Sequence, residues 1–100
     1  MAGVRDEGEA AVLSLSKVRV NRRIASLFVY PDRLVIARAD GEQVIPLTRL
    51  ERVASRRDWR GRTRLLLALD HEGLLEVRGL SASDTSAAHR TIVGIARDLH

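Results

Sequence analysis

The residues best suited to binding chemistry are concentrated in one short segment. Between positions 52 and 64 six arginines and a single aspartate give a net charge of +5, whereas the whole chain carries +4, so the remainder is close to neutral. Guanidinium groups bind phosphate and carboxylate through paired N–H donors, and an indole stacks on a nucleic-acid base or enters a membrane interface. The candidate anion-binding residues are Arg56, Arg57, Trp59, Arg60, Arg62 and Arg64.

Two interpretations of this segment stay open. If it folds as a hairpin around residues 58–61, arginines on the two arms face each other and repel. An acidic lipid surface or nucleic-acid phosphate would offset that repulsion. Acidic residues on neighbouring strands or simple solvation would also do so, and Trp59 would then be a packing residue of the hairpin. A second basic group, near the first inter-strand turn, consists of Lys17, Arg19, Arg22 and Arg23.

Residues suited to catalysis or metal binding are few. The chain has no cysteine, which excludes disulfides and thiolate ligands. His71, His89 and His100 lack the spacing of a metal site, and a polar turn accounts for His71 beside Asp70. We therefore predict a non-enzymatic protein with no cofactor, no metal and no small-molecule substrate.

The segments that must position these residues are short, aliphatic and β-prone. Turn signals separate them at Pro31-Asp32, Asp40-Gly41, Arg60-Gly61 and the Asp70–Gly73 stretch. We expect a type I′ turn at Asp40-Gly41, because this dipeptide tolerates positive φ at both central positions. Proline has no amide hydrogen, so the strand containing Pro46 is expected at a sheet edge or a break.

Two further patterns concern the ends of the domain. The apolar alternation changes parity between Leu15 and Val18, which indicates a β-bulge or a helical lead-in. Near the carboxyl end, Ser81 lies three residues before Asp84, a typical helix start, and apolar residues then recur at helical spacing to Leu99. Together the patterns predict a mainly β fold, a partial barrel or sandwich of about seven antiparallel strands capped by one C-terminal helix.

This order of strands and helix resembles the pleckstrin-homology (PH) superfold over nearly the whole chain. More locally, the passage YPDRLVI, then DG, then VIPLTRLERV at residues 30–53 is similar to small bacterial PH-like domains. In that family this passage reflects the fold and contains no catalytic residue. The resemblance implies an architecture and says little about mechanism. Eukaryotic members have a tryptophan in the terminal helix, whereas the only tryptophan here, Trp59, lies outside it. This difference argues against inositol-lipid binding.

Leucines occur on both strand parities of the last two β-runs, which suggests burial on both faces of that hairpin. One helix covers one face, so we expect a second chain to cover the other. The candidate protein interface is Leu65, Leu67, Leu69 and Leu74, in a protein-binding, scaffolding or self-associating module. The alternative is that curvature of the sheet hides these leucines in a closed core.

The remaining predictions concern organisation and location. Residues 1–9 are polar and lack apolar periodicity, so we expect a flexible tail followed by one domain over residues 10–100. The chain begins with acidic residues where a secretory signal would be basic and then apolar, and no run approaches about 18 apolar residues. A cytoplasmic location is the expectation.

Overall fold

The computed structural model describes residues 10–71 and 73–99; the predicted flexible tail, residues 1–9, lies outside the described residues. Seven antiparallel strands form one open sheet, followed by an α-helix, which confirms the predicted fold class. The elements are β1 (Leu13–Val20), β2 (Arg23–Val29), β3 (Arg33–Arg38), β4 (Gly41–Pro46), β5 (Leu50–Arg57), β6 (Thr63–Leu69), β7 (Gly73–Arg78) and α1 (Ala82–Leu99), with a 3-10 turn at Leu47–Arg49.

The strand order across the sheet is β4-β3-β2-β1-β7-β6-β5. Strands consecutive in sequence pair as hairpins, except β4 and β5, which lie at opposite edges, and the only non-sequential pair among the described strands joins β1 to β7. That seam is short, since Arg19 lies opposite Arg78 and Val20 lies opposite Val77. The β1–β7 seam therefore connects two halves of the sheet, β1–β4 and β5–β7.

Both halves contribute to a single hydrophobic core. Alternate residues of each strand face inward because side chains in a strand alternate between faces. Ile36 and Ile45 from one half and Leu67 and Val77 from the other are fully buried in the same cluster. The sheet curves around this cluster, and α1 packs against β5, β6 and the 3-10 turn, with Ile92 fully buried.

Several local predictions are confirmed. The register of β1 against β2 shifts between Leu15 and Val18, which is the predicted bulge. Pro46 ends β4, an edge strand of the sheet, where no ladder amide is required of it. Gly73 has a φ of 83°, in the left-handed region that its loop requires. Ser81 caps α1, because its hydroxyl accepts the backbone N–H of Asp84 at 3.0 Å.

The type I′ turn predicted at Asp40-Gly41 is wrong, although the hairpin exists. Arg38 lies opposite Gly41, so Ala39 and Asp40 are the central residues, and neither has a positive φ. Gly41 begins β4 with a φ of 143°, so the unusual backbone angle falls after the turn. Positive φ at both central positions occurs instead between β1 and β2, at Asn21 (50°) and Arg22 (73°).

Candidate anion-binding site

The predicted arginine segment forms a regular hairpin between β5 and β6. Arg56 lies opposite Arg64, and Arg57 lies opposite Thr63, so the loop spans residues 58–62. Asp58 organises this loop. One of its oxygens, Oδ1, accepts the backbone N–H of Arg60 and of Arg62 at 2.9 Å each, and its Oδ2 accepts from Nε of Arg62 at 3.2 Å.

The pKa of Asp58 reflects this arrangement. Desolvation acts to raise it, but the backbone N–H donors of Arg62 and Arg60, together with the Arg62 guanidinium, outweigh that effect and lower it below its ordinary value. The carboxylate stays ionised at neutral pH and keeps its hydrogen bonds within the loop. The carboxylate of Asp58 therefore holds the backbone of the loop in place. It does not pair with the arginines of the hairpin other than Arg62.

The tip of the hairpin presents Trp59 to solvent. Its side chain is 86% exposed, which argues against the packing role considered from the sequence. The guanidinium of Arg60 lies 4.7 Å from the centre of the indole ring, in a cation–π contact. Arg56 and Arg57 are exposed on the adjoining arm, and neither forms an ion pair with a described residue. We call Arg56, Arg57, Trp59 and Arg60 the hairpin tip.

The sheet brings further arginines beside this hairpin. Arg64 lies opposite Arg78, and Arg78 lies opposite Arg19 across the β1–β7 seam. Four arginines, from β5, β6, β7 and β1, thus occupy directly opposed positions on the outer face of the sheet. Directly opposed side chains have Cβ atoms about 4.5–5.5 Å apart, so this arrangement concentrates positive charge. We call Arg19, Arg56, Arg64 and Arg78 the arginine row.

Glu76 neutralises part of the row. Its carboxylate accepts from Nη1 of Arg64 at 2.9 Å and from Nε of Arg78 at 3.0 Å. Desolvation raises its pKa, but the hydrogen bonds and charges of Arg78 and Arg64 prevail, so the pKa is lower than usual. Arg19 has no carboxylate partner among residues 10–71 and 73–99. The carboxylate of Glu76 is thus paired with two arginines of the row. The guanidinium groups of the other two have no described carboxylate partner.

A cleft of about 630 Å³ opens beside the row, at the corner where the outer face of the sheet meets the start of α1. Four guanidinium-bearing residues line it, and Asp58 is its one acidic lining residue. We call it the corner cleft. Its lining residues are Arg19, Asp58, Gly61, Arg62, Thr63, Arg64, Arg78, Gly79, Leu80, Ser81 and Ala82.

The site predicted from sequence was therefore incomplete. The predicted set lacks Arg78, because it is a lone basic residue in an apolar strand. Arg19 lies near the first inter-strand turn, as predicted, and strand pairing also puts it beside Arg78. Of the other residues in that basic group, Arg22 lies in the β1–β2 turn, and Arg23 begins β2 and pairs with Asp40 at 3.3 Å. The alternation of apolar and polar residues along β1 and β7 predicts which residues lie on the outer face. That the two strands are neighbours is known only from the strand pairing.

The predicted leucine interface requires correction. Leu65 and Leu67 are fully buried and Leu69 nearly so, all within the core of this chain. Leu74 alone of the four is exposed, at 58%. The reason is that α1 is not the only cover for the hairpin's inner face, because the curved β1–β4 half covers it too. No second chain is needed to bury these three side chains.

The two histidines among the described residues, His89 and His71, do not line the corner cleft. Nδ1 of His89 on α1 lies 3.1 Å from the hydroxyl of Ser55, and Nε2 of His71 lies 3.5 Å from Asp70 in an exposed turn. Within the described ranges there is no group of three or more His, Asp or Glu side chains that could hold a metal ion. Nor does any helix there have the length and apolarity to cross a bilayer.

Comparison with known proteins adds no assignment. No protein-family model matches the chain, and no curated protein matches it in sequence. The resemblance to PH-like domains stays a prediction.

Proposed function

We propose that this protein is a non-catalytic binding module whose hairpin tip attaches to an anionic membrane surface. The observation that carries the proposal is the 86% exposure of Trp59 at the end of a hairpin with Arg60 stacked on it. Tryptophan is enriched at interfaces and in membrane-interface belts, because one part of its side chain is apolar and the N–H is polar. A module of this kind fits a PH-like domain, which is the family that the sequence resembles.

The chemistry of the tip fits a bilayer surface. Tryptophan is favoured at the headgroup level, where its apolar ring and polar N–H are both accommodated. Each arginine near an acidic leaflet contributes about 1 kcal/mol of attraction. Arg60 contacts the Trp59 ring, Arg56 and Arg57 lie on the strand that leads to it, and none of the three has a described carboxylate partner, so their charge is available to an external anion.

A nucleic-acid surface has less support. Proteins that bind single strands by stacking generally present several aromatic side chains along a groove. This chain has three aromatics, and apart from Trp59 they are Tyr30, which is buried, and Phe28, which is half-buried. One exposed ring suits insertion into an interface better than a stacking track.

The protein-interaction role predicted from the sequence also has less support. Of the four leucines on which it depended, Leu74 alone is exposed. An isolated exposed leucine is ordinary on a protein surface. The arginine- and tryptophan-bearing tip is the more distinctive surface.

The proposal is tested by vesicle co-sedimentation with phosphatidylcholine alone and with phosphatidylserine added. We expect binding only to the acidic vesicles, with an affinity that falls steeply as salt rises from 50 to about 200 mM. The double variant Arg57→Ala/Arg60→Ala should bind about tenfold or more weakly, since two interfacial charges are lost. Trp59→Ala should also weaken binding while leaving the fold intact.

The matched control is Arg90→Ala/Arg97→Ala, which removes the same charge from exposed positions on α1. Equal weakening by both double variants would mean that only net charge matters, and would overturn the proposal. So would a failure to bind acidic vesicles at low salt. Binding of the wild type to an oligonucleotide but not to vesicles would favour the nucleic-acid alternative.

A further inference from the structure

We propose that the corner cleft is a separate binding site for a phosphate dianion, such as the end group of a phosphate monoester. The hairpin tip is not part of it, because none of Arg56, Arg57, Trp59 and Arg60 lines the cleft. The inference therefore goes beyond membrane attachment. It depends on the placement of four arginines from three separate segments of the chain around one cavity.

The first argument is convergence. Arg19 comes from β1, Arg62 from the hairpin loop, Arg64 from β6 and Arg78 from β7, and all four line the same cavity. Its volume of about 630 Å³ lies within the usual range for small-ligand sites, roughly 300–1,000 Å³. Four cations face the lining carboxylate of Asp58 and the carboxylate of Glu76, which pairs with Arg64 and Arg78, so an excess of two positive charges remains for an anion to balance.

The second argument is preorganisation. Arg64 and Arg78 are held by Glu76, and Arg62 is held by Asp58, so three of the four side chains are already oriented. A guanidinium has five N–H donors, and these contacts use only some of them. The remaining donors are available without the entropy cost of ordering free side chains. Arg19, with no described carboxylate partner, keeps its full donor set.

The third argument comes from the backbone. Ser81 and Ala82 line the cleft, and α1 begins there. Ser81 accepts the amides of Asp84 and Thr85, at 3.0 and 2.9 Å, whereas the amides of Ala82 and Ser83 have no acceptor among the described residues. Free amides and the positive end of the helix dipole favour an anion at this position and add to the arginines.

The ligand class follows from the number and shape of the donors. A carboxylate offers two oxygens and one charge, which a single guanidinium can satisfy. A terminal phosphate offers three oxygens and a charge approaching −2, which suits several forked donors arranged around it. The same chemistry occurs in soluble phosphate monoesters and in the headgroup of phosphatidic acid, so the experiment must separate these sources.

The test is an amide NMR titration of the full chain with inorganic phosphate and with glycerol 3-phosphate, at low and matched ionic strength. We expect saturable shifts at Arg19, Thr63, Arg78 and Ala82, with chloride producing none. Arg19→Ala should weaken phosphate binding about tenfold, because a charge-assisted contact is lost. Arg19 is exposed and without a described ion pair, so its removal should leave folding intact.

Three controls decide the outcome. Arg19→Lys keeps the charge but loses the fork, so it should restore only part of the affinity. Arg90→Ala removes one charge from α1 and should change nothing; equal weakening by it and by Arg19→Ala would overturn the site. The absence of saturable shifts at the cleft amides with either soluble probe would overturn it too.

The source is distinguished with vesicles of equal charge. If the ligand is a lipid headgroup, Arg19→Ala should weaken binding to phosphatidic acid vesicles and spare phosphatidylserine vesicles. If it is soluble, Arg19→Ala should weaken glycerol 3-phosphate binding and leave both vesicle types unaffected. Because the soluble probes do not involve the tip, the cleft and the membrane proposal can fail independently.

Discussion

At the scale of single residues, Glu76 combines backbone and side-chain roles. Its backbone N–H donates to the side chain of Asn21, and its carboxylate holds Arg64 and Arg78. One half-buried acid thus joins two arginines that would otherwise repel each other across β6 and β7. Substitution of Glu76 should lower the stability of the fold and change the geometry of the corner cleft.

The charge state of Glu76 makes that contribution depend on pH. Its folded-state pKa lies below the ordinary value of 4.5, so the stabilisation is fully present above about 4.5 and is lost as pH falls through the folded-state pKa. Glu76→Gln lacks this contribution at every pH. We therefore expect the difference in free energy of unfolding between wild type and Glu76→Gln to be constant near neutrality and to shrink below about pH 4.5.

Urea denaturation at several pH values from 7 to 3 measures this difference. Asp58, whose pKa is also lowered, is present in both proteins and cancels in the comparison. A difference that stayed constant down to pH 3 would show that the ion pairs of Glu76 do not stabilise the fold.

At the scale of elements, a glycine in the interior of α1 lowers the stability of the helix. Gly94 lies on the exposed side of the helix, and a Cβ added there would meet no atom within 4 Å. Glycine in a helix interior costs about 0.5–1 kcal/mol relative to alanine. Nothing in the packing of the described residues requires it, so Gly94→Ala should raise the free energy of unfolding by up to about 1 kcal/mol.

Thermal denaturation followed by circular dichroism is the measurement, with an expected rise of several degrees for a chain of this size. The contrasting variant is Gly79→Ala, which should be destabilising, since Gly79 has a φ of 89° and the new side chain would be strained there. A lower melting temperature for Gly94→Ala would mean that the glycine has a role in packing after all.

At the scale of the whole molecule, the fold depends on a narrow connection. Only two residue pairs join β1 to β7, compared with six between β6 and β7. Asn21 extends the seam: its N–H donates to the carbonyl of Glu76, and its Oδ1 accepts the N–H of Glu76, both at 2.8 Å. The seam also brings Arg19 beside Arg78, so the corner cleft depends on it.

Asn21→Gly should loosen this seam. Glycine tolerates the positive φ of residue 21, so the variant removes the acceptor without straining the turn. We expect a loss of about 1 kcal/mol in the free energy of unfolding and faster hydrogen exchange at the Glu76 amide. Asn21→Asp, which retains an acceptor oxygen, should keep that amide protected; equal exchange in both variants would contradict the prediction.

Local features were predictable from the sequence for physical reasons. The bulge after Leu15, the edge position of Pro46 and the Ser81 cap each depend on residues within a few positions of one another. The charge of the segment from 52 to 64 is likewise a property of consecutive residues. The seven strands and the helix follow from hydrophobic period and turn chemistry, which are also local.

The tertiary structure decided which side chains lie at the surface and which of them are neighbours. The leucines of β6 and β7 fit either an interface or a core, and curvature of the sheet put Leu65, Leu67 and Leu69 in the core. Arg78 and Arg19 are 59 positions apart in the chain and became neighbours only through the β1–β7 seam. Strand pairing across such a distance is a property of the assembled sheet, because it depends on which buried faces meet, and no short stretch of sequence encodes that choice.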